Sequence, residues 1–152
     1  VTSPQHTQKH TPQQTLTRSV VLPAAPADVW SVIGEFHGLG DWHPYVPPSS
    51  VDAEDGDIRV FAVEGKVVAR ERLLAPAVGP EDHAAYTYTV LDPMLPITDY
   101  VATLAVRPHA EGSEVVWSAR YRSTEEAAAQ VESVFGDGTY GTGLAALQAK
   151  FG

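Results

Sequence analysis

The sequence predicts an α+β domain in which a long C-terminal helix lies on one face of a curved antiparallel sheet, with two short helices after the first strand. Three observations predict it. From Ser49 onward apolar residues recur with period two, broken by turn clusters, which marks about six strands. The links between those strands are short, and short links join antiparallel neighbours. After Thr124 the period becomes helical, through Ala127, Val131, Val134 and Phe135 and then Leu144, Leu147 and Phe151.

The elements follow in order. Val1–Gln14 is rich in Thr, Gln, His and Pro and lacks the apolar core of a signal peptide, so residues 1–14 are expected to be a disordered lead-in to a single domain over 15–152. Its His6 and His10 are not read as a metal site. Thr15–Leu22 is β-branched and stopped by Pro23, the pattern of a first strand. Pro26-Ala27-Asp28 opens a helix, with proline and an acid in the first turn. That helix ends near Gly34–Gly38, and a second short turn is expected over Leu39–Trp42. The strands that follow are separated by Glu54-Asp55-Gly56-Asp57, Glu64-Gly65-Lys66, Gly79-Pro80-Glu81-Asp82, Asp92-Pro93 with Pro96, and His109-Ala110-Glu111-Gly112.

Composition narrows the function. The 152 residues suit one core, and 19 acids against 10 bases give a net charge of −9. That balance argues against nucleic acid or an anionic membrane as partner, while a small hydrophobic ligand stays compatible with it. The absence of cysteine rules out disulfides, thiolate metal sites and a cysteine nucleophile, and accords with a cytoplasmic protein. Charges and prolines interrupt every apolar run, so no membrane span is expected. Monomer and homodimer both remain open.

Strand parity shows what the covered sheet face carries. Arg70 and Arg72 are expected to face water with Val68, which turns Val67, Ala69, Glu71 and Leu73 inward. Tyr86, Tyr88 and Val90 share a face in the next strand, as do Tyr100, Ala102, Leu104 and Val106 in the one after. In the last strand Val115, Trp117, Ala119 and Tyr121 face in, opposite Ser118, Arg120 and Arg122. Tyrosine hydroxyls and a glutamate are costly to bury without partners, and alanines between large aromatics leave space. A ligand cavity explains both features. The alternative is a packed core with Glu71 bonded to a tyrosine or to an inward arginine.

Asp41-Trp42-His43-Pro44 lies among the breakers Gly38, Gly40, Pro47 and Pro48. An aromatic beside an imidazole, the side chain that titrates nearest neutrality, suits the rim of a site. Equally, Trp42 could plug a core edge while His43 caps a turn. Two other patterns carry less. Gly136-Asp137-Gly138-Thr139-Tyr140-Gly141 spells GxGxxG but follows a helix with no βαβ unit around it, so it is not a dinucleotide loop. His37, Asp41 and His43 lack a fourth ligand at a recognisable spacing, and Ser31, Ser49, Ser50 and Ser118 lie in no nucleophile elbow. No metal or other cofactor is expected.

Pro23-Ala24-Ala25-Pro26-Ala27-Asp28-Val29-Trp30, Ile33-Gly34-Glu35-Phe36 and Asp41-Trp42-His43-Pro44 together resemble the opening of the START/Bet v 1-like (SRPBCC) helix-grip proteins. Glu71-Arg72-Leu73-Leu74, Tyr86-Thr87-Tyr88, Leu95-Pro96-Ile97-Thr98-Asp99-Tyr100 and Val115-Val116-Trp117-Ser118-Ala119 are similar to later strands of the polyketide cyclase/dehydrase-like branch. The likeness runs from about Leu16 to Phe151. It implies a helix-grip fold and an internal cavity, and either of two functions. One is a cofactor-independent cyclase or dehydratase of natural-product biosynthesis acting on a polyketide-like intermediate. The other is a carrier or sensor of a small hydrophobic ligand.

For the enzyme, His43 and Glu71 are the candidate proton-transfer groups, with burial expected to favour Glu71 as a donating acid. Tyr88, Tyr100 and Tyr121 are candidate donors to a developing oxyanion, and Trp42 and Trp117 candidate stacking walls. Tyr86 and Tyr140 complete the candidate ligand-binding set. The family's terminal helix is usually unbroken, whereas Gly136, Gly138, Gly141 and Gly143 fall within eight positions here. Each costs an interior helix roughly 1 kcal/mol against alanine, so a kink beside Tyr140 is expected, either a harmless bend or a gate to the cavity.

Overall fold

A computed structural model describes residues 11–78 and 84–152. Residues 1–10 of the expected lead-in, with His6 and His10, and the Gly79-Pro80-Glu81-Asp82 turn cluster lie outside the described residues. Seven strands form one antiparallel sheet: β1 (Gln13–Leu22), β2 (Ser49–Val51), β3 (Ile58–Val63), β4 (Lys66–Val78), β5 (Ala84–Val90), β6 (Thr98–His109) and β7 (Gly112–Arg122). Their spatial order is β1-β7-β6-β5-β4-β3-β2. The meander thus runs outward from β7 to β2, and β1 returns to cover the other edge of β7. Strand β1 begins two residues before the expected Thr15, because Gln13 and Gln14 still pair with Arg122 and Tyr121.

Helix α1 (Pro26–Ile33) carries Pro26 and Asp28 in its first turn and buries Val29 and Ile33. A 3₁₀ turn over Phe36–Gly38 leads into α2 (Leu39–Trp42). Strands β3 and β4 join through Glu64 (φ 53°) and Gly65 (φ 81°), both left-handed. Two successive positive φ values make the tight hairpin turn whose twist matches the strands.

The sheet's inner face is largely as its alternation predicts, with Tyr86, Tyr88, Tyr100, Ala102, Leu104, Val106, Val115, Trp117, Ala119 and Tyr121 all buried. Strand β4 departs from it. Phe61 pairs with Ala69 but Ala62 pairs with Val67, so Val68 is an extra residue in the ladder. Beyond such a bulge the in–out parity of a strand reverses. Val67, expected inside, is therefore exposed, and Val68, expected outside, lines a hollow beside Ala69. Arg70 and Arg72 do face outward, where they pair with Asp52 and Asp55.

The terminal helix begins at α3 (Glu125–Val131), where the Thr124 hydroxyl accepts from the Ala127 amide at 3.1 Å. Glu125 and Glu126 in the first turn suit the helix dipole. The expected kink is instead a π-helical stretch over Glu132–Gly141, followed by α4 (Thr142–Phe151). The buried residues Val131 and Gly136 are five apart, and then Tyr140, Gly143, Leu144 and Leu147 resume the three–four spacing. The π insertion thus rephases the helix so that both halves face the sheet. Two hydroxyls bridge five residues back within it, Thr139 to the Val134 carbonyl at 3.4 Å and Thr142 to the Asp137 carbonyl at 3.1 Å. From β1, Arg18 Nη2 reaches Glu132 at 2.9 Å and Asp137 at 3.2 Å. An added Cβ on Gly136 would lie 2.6 Å from that guanidinium and 3.0 Å from Leu16, so the glycine allows the segment to approach β1. Among the described residues no helix is long and apolar enough to cross a membrane.

Candidate functional site

Register places Arg59 of β3 directly opposite Glu71 of β4, both on the inner face. Arg59 is fully buried, and the Glu71 side chain is 16% exposed. Arg59 Nε donates to Glu71 Oε1 at 2.8 Å. Its Nη2 lies 2.7 Å from the same oxygen without an aligned hydrogen bond. Its Nη1 donates to the Phe36 carbonyl at 2.6 Å and, at 3.4 Å, to the Tyr86 hydroxyl. The guanidinium also sits 4.0 Å from the Phe36 ring centre and 4.7 Å from that of Tyr88. Burial alone would lower the Arg59 pKa, but the Glu71 carboxylate and the two tyrosines outweigh it and the net shift is upward. Arg59 is thus a fixed cation with, among the described residues, one counter-ion. Strand parity with Phe61 was the available signal for it, together with the need of an inward glutamate for a partner.

The Arg59 hydrogen bond to Glu71 falls on Oε1. Among the described residues no hydrogen bond falls on Oε2. The glutamate lies at the junction of two hollows. The first, about 190 Å³, is bounded by Leu39, Tyr45, Phe61, Tyr88, Trp117 and Thr139. The second, about 180 Å³, is bounded by Val90, Asp92, Met94, Leu95 and Val134. Val68, Ala69, Glu71 and Phe135 line both.

Tyr88 stands on β5 one diagonal step from Glu71, since Leu73 is its cross-strand partner and Val90 that of Glu71. Its hydroxyl oxygen accepts from Trp117 Nε1 at 3.0 Å, which leaves its own proton available. Burial first, then Tyr100 and Glu71, push the Tyr88 pKa well above the ordinary value, so the group is a neutral donor at physiological pH. Glu71 and Tyr88 thus line the same hollow.

The other expected residues divide between this hollow and the packing behind it. Trp117 lines the hollow and stacks on Tyr140, ring centres 4.6 Å apart and planes within 7°. Tyr140 and Tyr100 bond hydroxyl to hydroxyl, and burial raises both pKa values. Tyr86 packs among Trp30, Phe36 and Arg59. Tyr121 is buried beside Tyr100, and among the described residues its hydroxyl has no hydrogen-bond partner. None of these four tyrosines is among the residues lining the two hollows at Glu71.

His43 is 3% exposed and lies against the edge of Trp117. Its Nδ1 accepts from the Tyr45 amide at 3.1 Å, which leaves Nε2–H to donate to the Thr139 carbonyl at 2.7 Å. Burial lowers its pKa, partly opposed by the Thr139 bond, so the ring is neutral with both nitrogens engaged. It ties the loop after α2 to the π segment. Trp42 packs on Trp117 from outside and borders a separate groove of about 480 Å³ with Val32, Leu147 and Lys150. Among the described residues no cluster of His, Cys, Asp and Glu could hold a metal ion.

The sequence profile of a family described as polyketide cyclase / dehydrase and lipid transport matches residues 13–152. A protein from Thermobifida fusca solved by NMR is 35% identical, with a TM-score of 0.80 over 91% of this chain and 93% of that one. The protein XoxI from Bacillus cereus is 31% identical, with a TM-score of 0.68 over 91% and 94%. Norcoclaurine synthase from Thalictrum flavum shares the fold at 19% identity, with a TM-score of 0.68 over 94% and 96%. No curated protein matches the chain.

Proposed function

The chain belongs to the polyketide cyclase/dehydrase and lipid transport family, and from that premise we propose that it is an acid–base catalyst acting on an apolar carbonyl compound held at Glu71. The observation that carries the proposal is that Glu71, whose Oε2 accepts no hydrogen bond among the described residues, and Tyr88, whose hydroxyl accepts from Trp117, line one hollow. A ketone flanked by an acidic C–H is complementary to that pair. Tyr88 donates a hydrogen bond to the carbonyl oxygen, and Glu71 takes the proton from the neighbouring carbon. The resulting enolate carbon attacks a second carbonyl of the same molecule, and the new alkoxide takes the proton back from Glu71. Glu71 then moves a second α-hydrogen to the departing hydroxyl, so that water leaves and the closure is dehydrative.

Arg59 holds the carboxylate in place, and the aromatic walls hold the substrate in a reactive pose, which contributes several kcal/mol of barrier lowering on its own. In this proposal His43 acts as a positioning residue, keeping Tyr45 and Thr139 at the rim of the hollow. A carrier would use the same hollow with Glu71 as a hydrogen-bond anchor and would need no proton transfer.

Deuterium exchange at the α-carbon of acetophenone, followed by NMR in D₂O, separates the two readings. The wild type should accelerate exchange, Glu71→Gln should reduce the acceleration by about 10²–10⁴-fold, and Tyr88→Phe by about 10²–10³-fold. Binding of the ketone without any acceleration would leave the carrier.

A further inference from the structure

The two hollows at Glu71 share one side chain from the terminal helix. Phe135 lines both, together with Val68, Ala69 and Glu71, and its ring meets Tyr100 edge-on with centres 5.4 Å apart. Each hollow is close to the size of a cavity that holds a single benzene ring, about 150 Å³. Ordinary small-molecule sites are larger, about 300–1,000 Å³. Joined by displacement of Phe135, the two would fall within that range. The backbone beneath Phe135 is π-helical and is followed at once by Gly136, with Gly138 two residues on.

The exposed apolar residues point the same way. Tyr45 (77% exposed) borders the first hollow, Met94 (81%) and Val134 (47%) the second, and Val68 (44%) both. Large apolar side chains left in water around two adjoining mouths are the mark of a binding surface.

We propose that Phe135 is a movable partition within one two-lobed site, and that it selects a fused two-ring apolar ligand whose oxygen is held at Glu71. This rests on the reading of Glu71 as the polar anchor. A one-ring ligand fills one lobe and leaves Phe135 in place. A two-ring ligand turns Phe135 aside and occupies both lobes, so Phe135 sets ligand size as Glu71 sets ligand polarity.

The test uses phenol and 2-naphthol as probes, titrated by NMR into the full chain. In the wild type 2-naphthol should show contacts to both Tyr45 and Met94, which belong to different lobes, and phenol to only one of them. Phe135→Ala should tighten 2-naphthol binding by about tenfold, the worth of not reseating one packed side chain, and leave phenol, which loses a wall of its lobe, no tighter. Phe135→Trp should weaken 2-naphthol and spare phenol, which keeps the test open if the alanine variant folds poorly. Contacts of 2-naphthol to one lobe alone, equal changes for both probes, or no binding of 2-naphthol would overturn the partition. Glu71→Gln should weaken both probes alike. If it leaves both unchanged while the Phe135 variants behave as described, the partition stands and the anchoring role of Glu71 falls.

Discussion

Gly143 and Gly138 are both helix glycines, yet alanine should act oppositely at the two. At Gly143 an added Cβ would lie 2.7 Å from His43 Cδ2 and 3.0 Å from Trp117 Cζ3. Neither ring can retreat easily. His43 is bonded at both nitrogens, and Trp117 is fully buried, bonded to Tyr88 and stacked on Tyr140. Overpacking of this kind costs about 1–3 kcal/mol, against a helix-propensity gain of about 1. A net loss of up to about 2 kcal/mol corresponds to a fall in Tm of up to about 8 °C for a chain of this size.

At Gly138 the nearest atom to the new Cβ is the Ser133 carbonyl oxygen, at an ordinary 3.5 Å. Alanine there should raise stability by about 0.4–1 kcal/mol through the unfolded chain. Gly141 is intermediate, with the Gly136 carbonyl oxygen 3.2 Å away, and should gain less. Urea unfolding followed by tryptophan fluorescence measures all three. A Gly143→Ala variant more stable than the wild type would refute the argument that the start of α4 is seated by close approach to His43 and Trp117.

Arg59→Met should lower stability by about 3–5 kcal/mol in the same assay, because it leaves Glu71 without its cation in a largely dry setting. Its double mutant with Glu71→Gln should recover part of that loss, and equal losses in the single and double variants would count against the pair. His43 supplies a pH dependence. Its folded pKa lies below the unfolded value of about 6.5, so the stability it contributes is complete above that pH and is lost as the pH falls through the folded pKa. His43→Gln should flatten this part of the stability–pH curve, and an unchanged curve would show that His43 is not buried as a neutral ring.

Much of the fold was legible because local patterns and tertiary burial agree. In β7 the alternation of Val115, Trp117, Ala119 and Tyr121 is the inner face, Leu39–Trp42 forms its short helix, and Thr124 caps the helix it precedes. The bulge at Val68 has no such local signature, and a single extra residue reversed the facing of Val67 and Val68. Arg59 escaped notice because a lone arginine beside Ile58 and Val60 reads as a solvated residue until the strand opposite supplies Glu71. Glycines 136–143 correctly marked a weak α-helix. What holds that stretch as a π-helix is long-range, through Arg18 from β1 and His43 from the loop after α2. Parity alone put Glu71, Tyr86, Tyr88, Tyr100, Trp117 and Tyr121 on one face, whereas which of them line a hollow depends on how the helix is phased above the sheet.

The central claim is that Glu71 and Tyr88 together receive a carbonyl compound, and a structure of the protein with acetophenone bound tests it most directly. The account predicts the ketone oxygen about 2.7–3.1 Å from the Tyr88 hydroxyl and the methyl carbon facing Glu71 Oε2, with the phenyl ring between Phe61 and Trp117. A ketone bound instead in the groove beside Trp42 and Lys150, or in the first hollow with its oxygen turned away from Tyr88, would contradict it.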